Sequence, residues 1–125
     1  MTFLHIFIVG AGGFLGAIGR FSISKHLNKK TLSRLPIGTL TVNLTGAFLL
    51  GIITGIKADI FIALLFGTGF LGAFTTFSTV KLELTRLYIQ KRIRLFIFYL
   101  LITYGFGIIL AYFGYFIGTI LFSLK

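Results

Sequence analysis

The chain has 125 residues, of which 57% are hydrophobic, and a formal net charge of +10. A soluble domain this short needs more polar surface to cover its core, so the composition excludes that class and predicts a membrane protein. The basic residues lie between long apolar runs, which indicates loops beside anionic lipid and argues against a nucleic-acid partner. There is no cysteine, so disulfides and thiolate metal sites are excluded.

Four apolar stretches are long enough to cross a bilayer, which takes about 20 residues each. They cover residues 3–23, 36–56, 60–88 and 95–124. No linker, repeat or low-complexity segment separates them, so the sequence predicts a single all-α transmembrane domain of four helices over residues 1–125. The turn between the second and third spans is very short, and Asp59 is its expected helix N-cap.

Basic residues are distributed unequally between the two sides of the membrane. The loops after the first and third spans, together with the end of the third span that leads into its loop, hold nine of them, namely Lys25, Lys29, Lys30, Arg34, Lys81, Arg86, Lys91, Arg92 and Arg94. The opposite side holds only Lys57 and Lys125. Because basic loops remain in the cytoplasm, both termini are expected outside the cell membrane.

The middle of the third span, residues 69–79, reads GFLGAFTTFST. Two glycines and four hydroxyl residues in eleven positions are poorly suited to a lipid-facing helix. Unpaired backbone groups cost several kcal/mol in hydrocarbon, so a broken helix is stable there only inside protein or beside a cavity. The stretch therefore predicts that helix 3 is broken near its middle and forms an ion site.

Glycines also recur four residues apart in three spans. The pairs are Gly12 and Gly16, Gly51 and Gly55, and Gly114 and Gly118. Small residues at this spacing let helix backbones approach closely in lipid. Packing within the bundle and dimerisation explain the pattern about equally well.

Two polar side chains lie within the first two spans. Arg20 is near the end of the first span. One interpretation is that it serves an ion path, and the other is that its side chain extends to the interface as an anchor. Position alone slightly favours the anchor. Asn43 is well inside the second, and its amide can donate two hydrogen bonds. Bonding to another helix is the commoner role for such an amide, and binding an anion is the alternative.

Hydroxyl side chains follow the glycines of the third span at Thr75, Thr76, Ser78 and Thr79. Four hydroxyls in five positions exceed what back-bonding at one kink requires. The carbonyl groups at Gly72 and nearby, if exposed by the break, offer the oxygen ligands that hard cations select.

Phe77 lies among these hydroxyls. Most of the 16 phenylalanines are expected to face lipid or fill the core, but an aromatic edge carries partial positive charge and can face an anion. Glu83 is expected to pair with Arg86 three residues later. The sequence holds no nucleophile–base pair and no metal-binding triad, so we do not expect an enzyme.

Three motifs, in order along the chain, resemble the Fluc/CrcB family of fluoride channels. They are GGFLGAIGR at 12–20, PIGTLTVNLTG at 36–46 and GFLGAFTTFST at 69–79. The length and the four-span layout match as well, so the resemblance covers nearly the whole chain. It implies an antiparallel dimer with two narrow pores that export fluoride passively across the cell membrane and protect a microbe from fluoride.

The resemblance also implies roles for individual residues. The implied fluoride pathway comprises Arg20, Asn43, Phe77, Ser78, Thr79 and Tyr104. Arg20 draws anions into a vestibule, and Phe77 contacts the anion through its ring edge. A structural sodium ion is implied between the subunits, held by the backbone carbonyl oxygens of Gly72 and Thr75.

One position departs from the family pattern. The family usually has a second phenylalanine three residues after the first, and this chain has Val80 there. Valine has no aromatic edge to offer an anion. Together with the strong charge bias, this predicts an obligate heterodimer with a related Fluc/CrcB-type subunit of opposite orientation.

Two other functions stay open from the sequence. A small four-helix multidrug/proton antiporter has a similar length, but it needs a carboxylate in its first helix, and residues 3–23 contain none. A non-transporting membrane anchor would need neither the interruption nor Asn43. The choice of fluoride as the ion rests on the resemblance.

Overall fold

The structure is a computed structural model that describes residues 2–30 and 37–124, without the side chains of 28–30. Every regular element in these ranges is helical. The predicted start of the second span at Pro36 lies outside the described residues.

The helices are numbered here in chain order. The first two spans are α1 (Phe3–Lys30) and α2 (Ile37–Gly55). The third span consists of α3, residues 60–74, and α4 (Ser78–Ile89), and the fourth is α5 (Ile93–Ser123).

All four predicted spans are confirmed. Four helical stretches of the described chain are long and apolar enough to cross a membrane. The first helix continues beyond its predicted end at residue 23 as far as Lys30. The reason is that residues 24–30 contain neither glycine nor proline, so nothing in them stops a helix once the apolar run has ended.

Two stretches of the spans are wider than an α-helix. Ala63–Leu71 in α3 and Ile102–Phe106 in α5 form π-helical turns. Such turns are rare and occur frequently at functional sites. Hydrophobic periodicity assumes 3.6 residues per turn, so it does not predict which side chains these turns bring together.

The two short turns set the helix directions. The backbone is left-handed at Lys57 (φ 52°) and at Lys91 (φ 59°), the conformation that ends a helix and reverses the chain. The Asp59 carboxylate accepts the backbone N–H of Ile60 at 2.8 Å, which confirms the predicted N-cap. Helices α2 and α3, and likewise α4 and α5, are therefore antiparallel neighbours.

Glycine allows α1 to lie against α3. A Cβ atom added at Gly12 would overlap the carbonyl oxygen of Leu65, and one added at Gly16 would overlap that of Phe70. The two backbones are thus in direct contact, as the four-residue spacing permits.

The crossing of α2 and α5 uses glycine from both sides. Gly51 and Gly55 face α5, and an added Cβ at either would overlap its backbone. Gly114 and Gly118 face α2 in the same way. All three glycine pairs therefore pack helices within the chain, and dimerisation is not needed to explain them.

Two small clusters of side chains are buried. One joins α2 to α3 and comprises Val42, Leu71 and Phe74. The other joins α4 to α5 and comprises Val80, Leu87 and Tyr99. Most other large apolar side chains are exposed, as expected for a surface that lipid or another subunit covers.

Replacing Gly12 by alanine places a methyl group against the Leu65 carbonyl oxygen and forces α1 away from α3. We expect a loss of about 1–3 kcal/mol, the usual cost of overpacking, measured as a lower thermal midpoint of the detergent-solubilised protein. Gly10→Ala is the matched control, because nothing lies within 4 Å of its added methyl group. Equal midpoints for the two variants would contradict this close packing.

Candidate functional site

The third span is interrupted at residues 75–77, between α3 and α4. Thr75 is extended, with φ −85° and ψ 159°, and Phe77 has φ −94° and ψ −37° where the helix resumes. The predicted break of helix 3 is confirmed. The threonines form it, whereas Gly69 and Gly72 remain helical.

The side-chain amide of Asn43 pairs with the backbone of the interruption. Its Nδ2 donates to the Thr76 carbonyl oxygen at 2.9 Å, and its Oδ1 accepts the Thr76 backbone N–H at 2.8 Å. The amide thus replaces both backbone partners that Thr76 would have in a continuous helix. Of the two roles open for Asn43 from the sequence, the structure shows the interhelical one.

The hydroxyls of the interruption bond mainly to one another. Thr76 Oγ1 accepts the Thr79 N–H at 3.3 Å, which caps the start of α4, and donates to Thr79 Oγ1 at 3.2 Å. Ser78 Oγ lies 3.5 Å from the same Thr76 oxygen. Thr75 stays apart from this cluster, because its hydroxyl donates to the Leu71 carbonyl at 2.9 Å.

The carbonyl oxygens of residues 72–75 accept no hydrogen bond in the described chain. Two of them belong to Gly72 and Thr75. In a continuous helix they would accept the N–H groups four residues later, at Thr76 and Thr79. Those N–H groups bond instead to Asn43 Oδ1 and Thr76 Oγ1. No other donor in the described part of the chain reaches either carbonyl. Free carbonyl oxygens are the donor set that suits a hard cation.

A groove of about 350 Å³ lies beside the interruption, between α2, α3 and α5. Five predicted site residues line it, namely Asn43, Gly72, Thr75, Phe77 and Tyr104. The groove is open to the outside of the chain, because Phe77 is 63% exposed and Tyr104 is 43% exposed. Lipid cannot satisfy an unpaired polar group or an ion in such a groove.

The other three predicted pathway residues do not line this groove. Ser78 and Thr79 belong to the hydroxyl cluster at the start of α4. Arg20 lies on α1, and its Nε is buried without a hydrogen-bond partner among the described residues. A path that uses all of the predicted residues must therefore extend beyond the groove.

Thr103 is a groove residue that sequence analysis missed. Its hydroxyl is buried and has no partner in the described chain, and it lies beside Tyr104 in the groove wall. Successive residues on an α-helix point about 100° apart, so Thr103 was not expected to share the groove with Tyr104. Thr103 and Tyr104 both belong to the π-helical turn Ile102–Phe106, where the side-chain directions differ from those of an α-helix. The available signal was a hydroxyl residue in an otherwise apolar span.

Glu83 is bonded differently from the sequence prediction. Its carboxylate accepts the Thr39 hydroxyl at 3.2 Å and the Tyr99 hydroxyl at 2.9 Å. The expected ion pair with Arg86 is absent from the described chain. The Glu83 side chain is directed towards α2 and α5, where burial favours hydrogen bonding over a solvated pair. Sequence spacing within one helix does not reveal partners on other helices.

Val80 lies at the inner wall of the groove with 2% of its surface exposed. It packs against Leu87 and Tyr99 in the α4–α5 cluster. The position three residues after Phe77 is therefore part of the core within this chain, and it presents no aromatic edge to the groove.

Replacing Asn43 by leucine keeps the number and branching of the side-chain heavy atoms and removes both hydrogen bonds to Thr76. We expect a loss of about 2–5 kcal/mol, since two backbone groups lose their partners, measured as a lower thermal midpoint and a loss of assembled protein. Thr45→Val is the control, because Thr45 is exposed on the same helix. A midpoint for Asn43→Leu equal to that of the control would show that the pairing is dispensable.

The chain is similar to known proteins over most of its length. The family model described as "CrcB-like protein, Camphor Resistance (CrcB)" matches residues 7–115. The chain is 48% identical over 117 residues to the "Fluoride-specific ion channel FluC 2" of Bacillus thuringiensis subsp. konkukian, covering 94% of this chain and 99% of that protein.

Two further relatives come from other genera. The protein named FluC 2 of Lactobacillus acidophilus is 45% identical over 123 residues, covering 94% of this chain and 99% of that protein. The protein named FluC 1 of Geobacillus kaustophilus is 46% identical over 110 residues, covering 88% of this chain and 94% of that protein. With a family model over most of its length and relatives at this identity, the chain belongs to the CrcB family.

Proposed function

We propose that this chain is one subunit of a fluoride-selective channel through which fluoride leaves the cell passively, which limits its toxicity. The observation that carries the proposal is the interruption at residues 75–77, held by Asn43 and bordered by a groove with aromatic and hydroxyl side chains. Irregular backbone at this depth is stable beside an ion path. Each of these relatives is named as a fluoride-specific ion channel, which supports fluoride as the ion.

Passive flow is favoured over exchange with protons. A multidrug/proton antiporter of this size needs a carboxylate in its first helix, and α1 has no acidic residue. Glu83 is the one acidic residue in the four spans, and its carboxylate is bonded to Thr39 and Tyr99. A membrane anchor, the other alternative, would have no use for an interruption with free carbonyl groups.

A structural sodium ion is proposed at the carbonyl oxygens of Gly72 and Thr75. The ion would supply a fixed positive charge that cancels the partial negative charge of these unpaired oxygens. Two oxygens are too few, because hard cations commonly take about six oxygen ligands. A second subunit that brings two matching oxygens would raise the number to four, which supports a shared site and hence a dimer.

The partner is proposed to be a related subunit inserted in the opposite orientation. The open groove beside Phe77 needs a second protein surface, which an antiparallel subunit would supply. The charge bias lets this chain insert one way, with both termini outside the cell membrane, so two copies would not be antiparallel. Two further observations fit a pair of different subunits. Val80 lacks the aromatic edge of the family pattern, and the relatives carry the numbers 1 and 2 in their names.

The proposed pathway residues have different tasks. Arg20, whose Nε is buried without a hydrogen-bond partner among the described residues, attracts anions through its guanidinium charge. The edge of Phe77 faces the anion, and the hydroxyls of Ser78 and Thr79 donate to it. Tyr104 supplies a further hydroxyl from α5.

Fluoride efflux from liposomes that contain this chain alone tests the heterodimer. We expect no efflux above that of empty liposomes, because copies inserted with one bias do not form antiparallel pairs and Val80 lacks an aromatic edge. Liposomes that also contain a second CrcB-type subunit of opposite charge bias should release fluoride. Rapid efflux from the chain alone would contradict the heterodimer and leave the channel proposal intact.

Replacing Phe77 by isoleucine in the assembled pair keeps an apolar side chain and removes the aromatic edge. We expect fluoride efflux to fall about tenfold or more, the effect of losing about 1.4 kcal/mol of anion stabilisation. Phe116→Ile is the control, since Phe116 is also exposed, lies on α5 and does not line the groove. Unchanged efflux in Phe77→Ile would show that this ring is not part of the working pore.

A further inference from the structure

Lys81 is a charged residue inside the third membrane span. It lies in α4, eight residues before the end of that helix at Ile89, which corresponds to about 12 Å along the helix axis. A lysine in a membrane-crossing helix usually is paired, reaches the interface or faces a polar path. Lys81 is exposed on the chain's outer surface, so its surroundings decide which of these applies.

The charge of Lys81 is not neutralised by an acidic residue. No ion pair to it occurs in the ranges that the structure describes, and the carboxylate of Glu83 is bonded to Thr39 and Tyr99. Residues two apart on an α-helix are separated by about 200°, so Lys81 and Glu83 point to opposite sides of α4. Lys81 therefore has no acidic partner among the described residues.

The ammonium group of Lys81 lies over the ring of Phe77. The distance from Nζ to the ring centroid is 5.5 Å, within the range of a cation–π contact. Side chains on a helix lean towards its N-terminus, which places this ammonium one turn back, towards the middle of the span. Lys81 is thus directed to the interruption and away from the cytoplasmic end of α4.

We propose that Lys81 is a positioning residue of the anion path, acting through the ring of Phe77. The inference rests on the proposed function, in which the edge of that ring faces fluoride. A cation over the ring face attracts the negative π charge and leaves the ring edge more positive. Lys81 therefore restrains the orientation of an otherwise exposed ring and strengthens its contact with the anion.

The effect of the charge is transmitted by the ring. A cation over the ring acts more strongly in a low-dielectric environment than in water. A neutral side chain at residue 81 therefore loses the contact, whereas arginine keeps it, since guanidinium also stacks over aromatic rings.

The test is fluoride efflux from liposomes that contain the assembled pair with Lys81→Gln or Lys81→Arg. Lys81→Gln should slow efflux about threefold to tenfold, whereas Lys81→Arg should retain most of it. Lys57→Gln is the matched control, because Lys57 Nζ also lies over a phenylalanine ring, that of Phe122 at 5.2 Å, but in a surface turn. Lys57→Gln should release fluoride at the same rate as the wild type.

A double-substituted chain distinguishes action through the ring from a general effect of charge. In a pair that carries Phe77→Ile, adding Lys81→Gln should slow the remaining efflux less than twofold, since coupled residues are not additive. Wild-type efflux in Lys81→Gln, or an undiminished further loss in the Phe77→Ile background, would overturn the inference. Absence of efflux from the unsubstituted pair would instead overturn the proposed function.

Discussion

The structure depends on the pairing between the Asn43 amide and the backbone of Thr76. Backbone polar groups left unpaired in hydrocarbon cost several kcal/mol each, so a helix cannot be opened at mid-membrane without substitute partners. One side chain on α2 provides both partners. Because it takes the Thr76 N–H, it also releases the Gly72 carbonyl oxygen from helical bonding. A hydrogen bond that stabilises the fold thus produces the free oxygen of the candidate cation site.

The rest of the chain is organised around this interruption. Glycines bring α1 against α3 and α2 against α5. Gly46 on α2 lies directly against the Thr75 side chain, so that α2 is close enough for Asn43 to reach the break. The Thr76 hydroxyl accepts the Thr79 N–H and thereby caps the N-terminus of α4. Phe77 then lies at the rim of the open groove. Within one chain the groove is open on one side, and the oxygens of Gly72 and Thr75 are too few to surround a cation. This incompleteness is the physical reason for proposing a partner subunit, and the charge bias is the reason for proposing a different one.

Sequence analysis predicted the features that depend on length, hydropathy and local turn chemistry. The four spans, the broken third helix and the Asp59 cap are confirmed for this reason. Features that depend on how helices are rotated against one another were missed. The π-helical turn around Thr103 and the bonds of Glu83 to Thr39 and Tyr99 are of this kind, because spacing within one helix carries no information about its neighbours. The glycine pairs needed the structure to decide between two roles.

The central claim is that this chain forms one half of a passive, fluoride-selective path. Its most direct test loads liposomes containing both subunits with equal concentrations of fluoride and chloride and follows each anion with an ion-selective electrode after dilution. The account predicts that fluoride leaves rapidly, without a proton gradient, while chloride remains inside. Release of both anions at similar rates, or of neither, would contradict it.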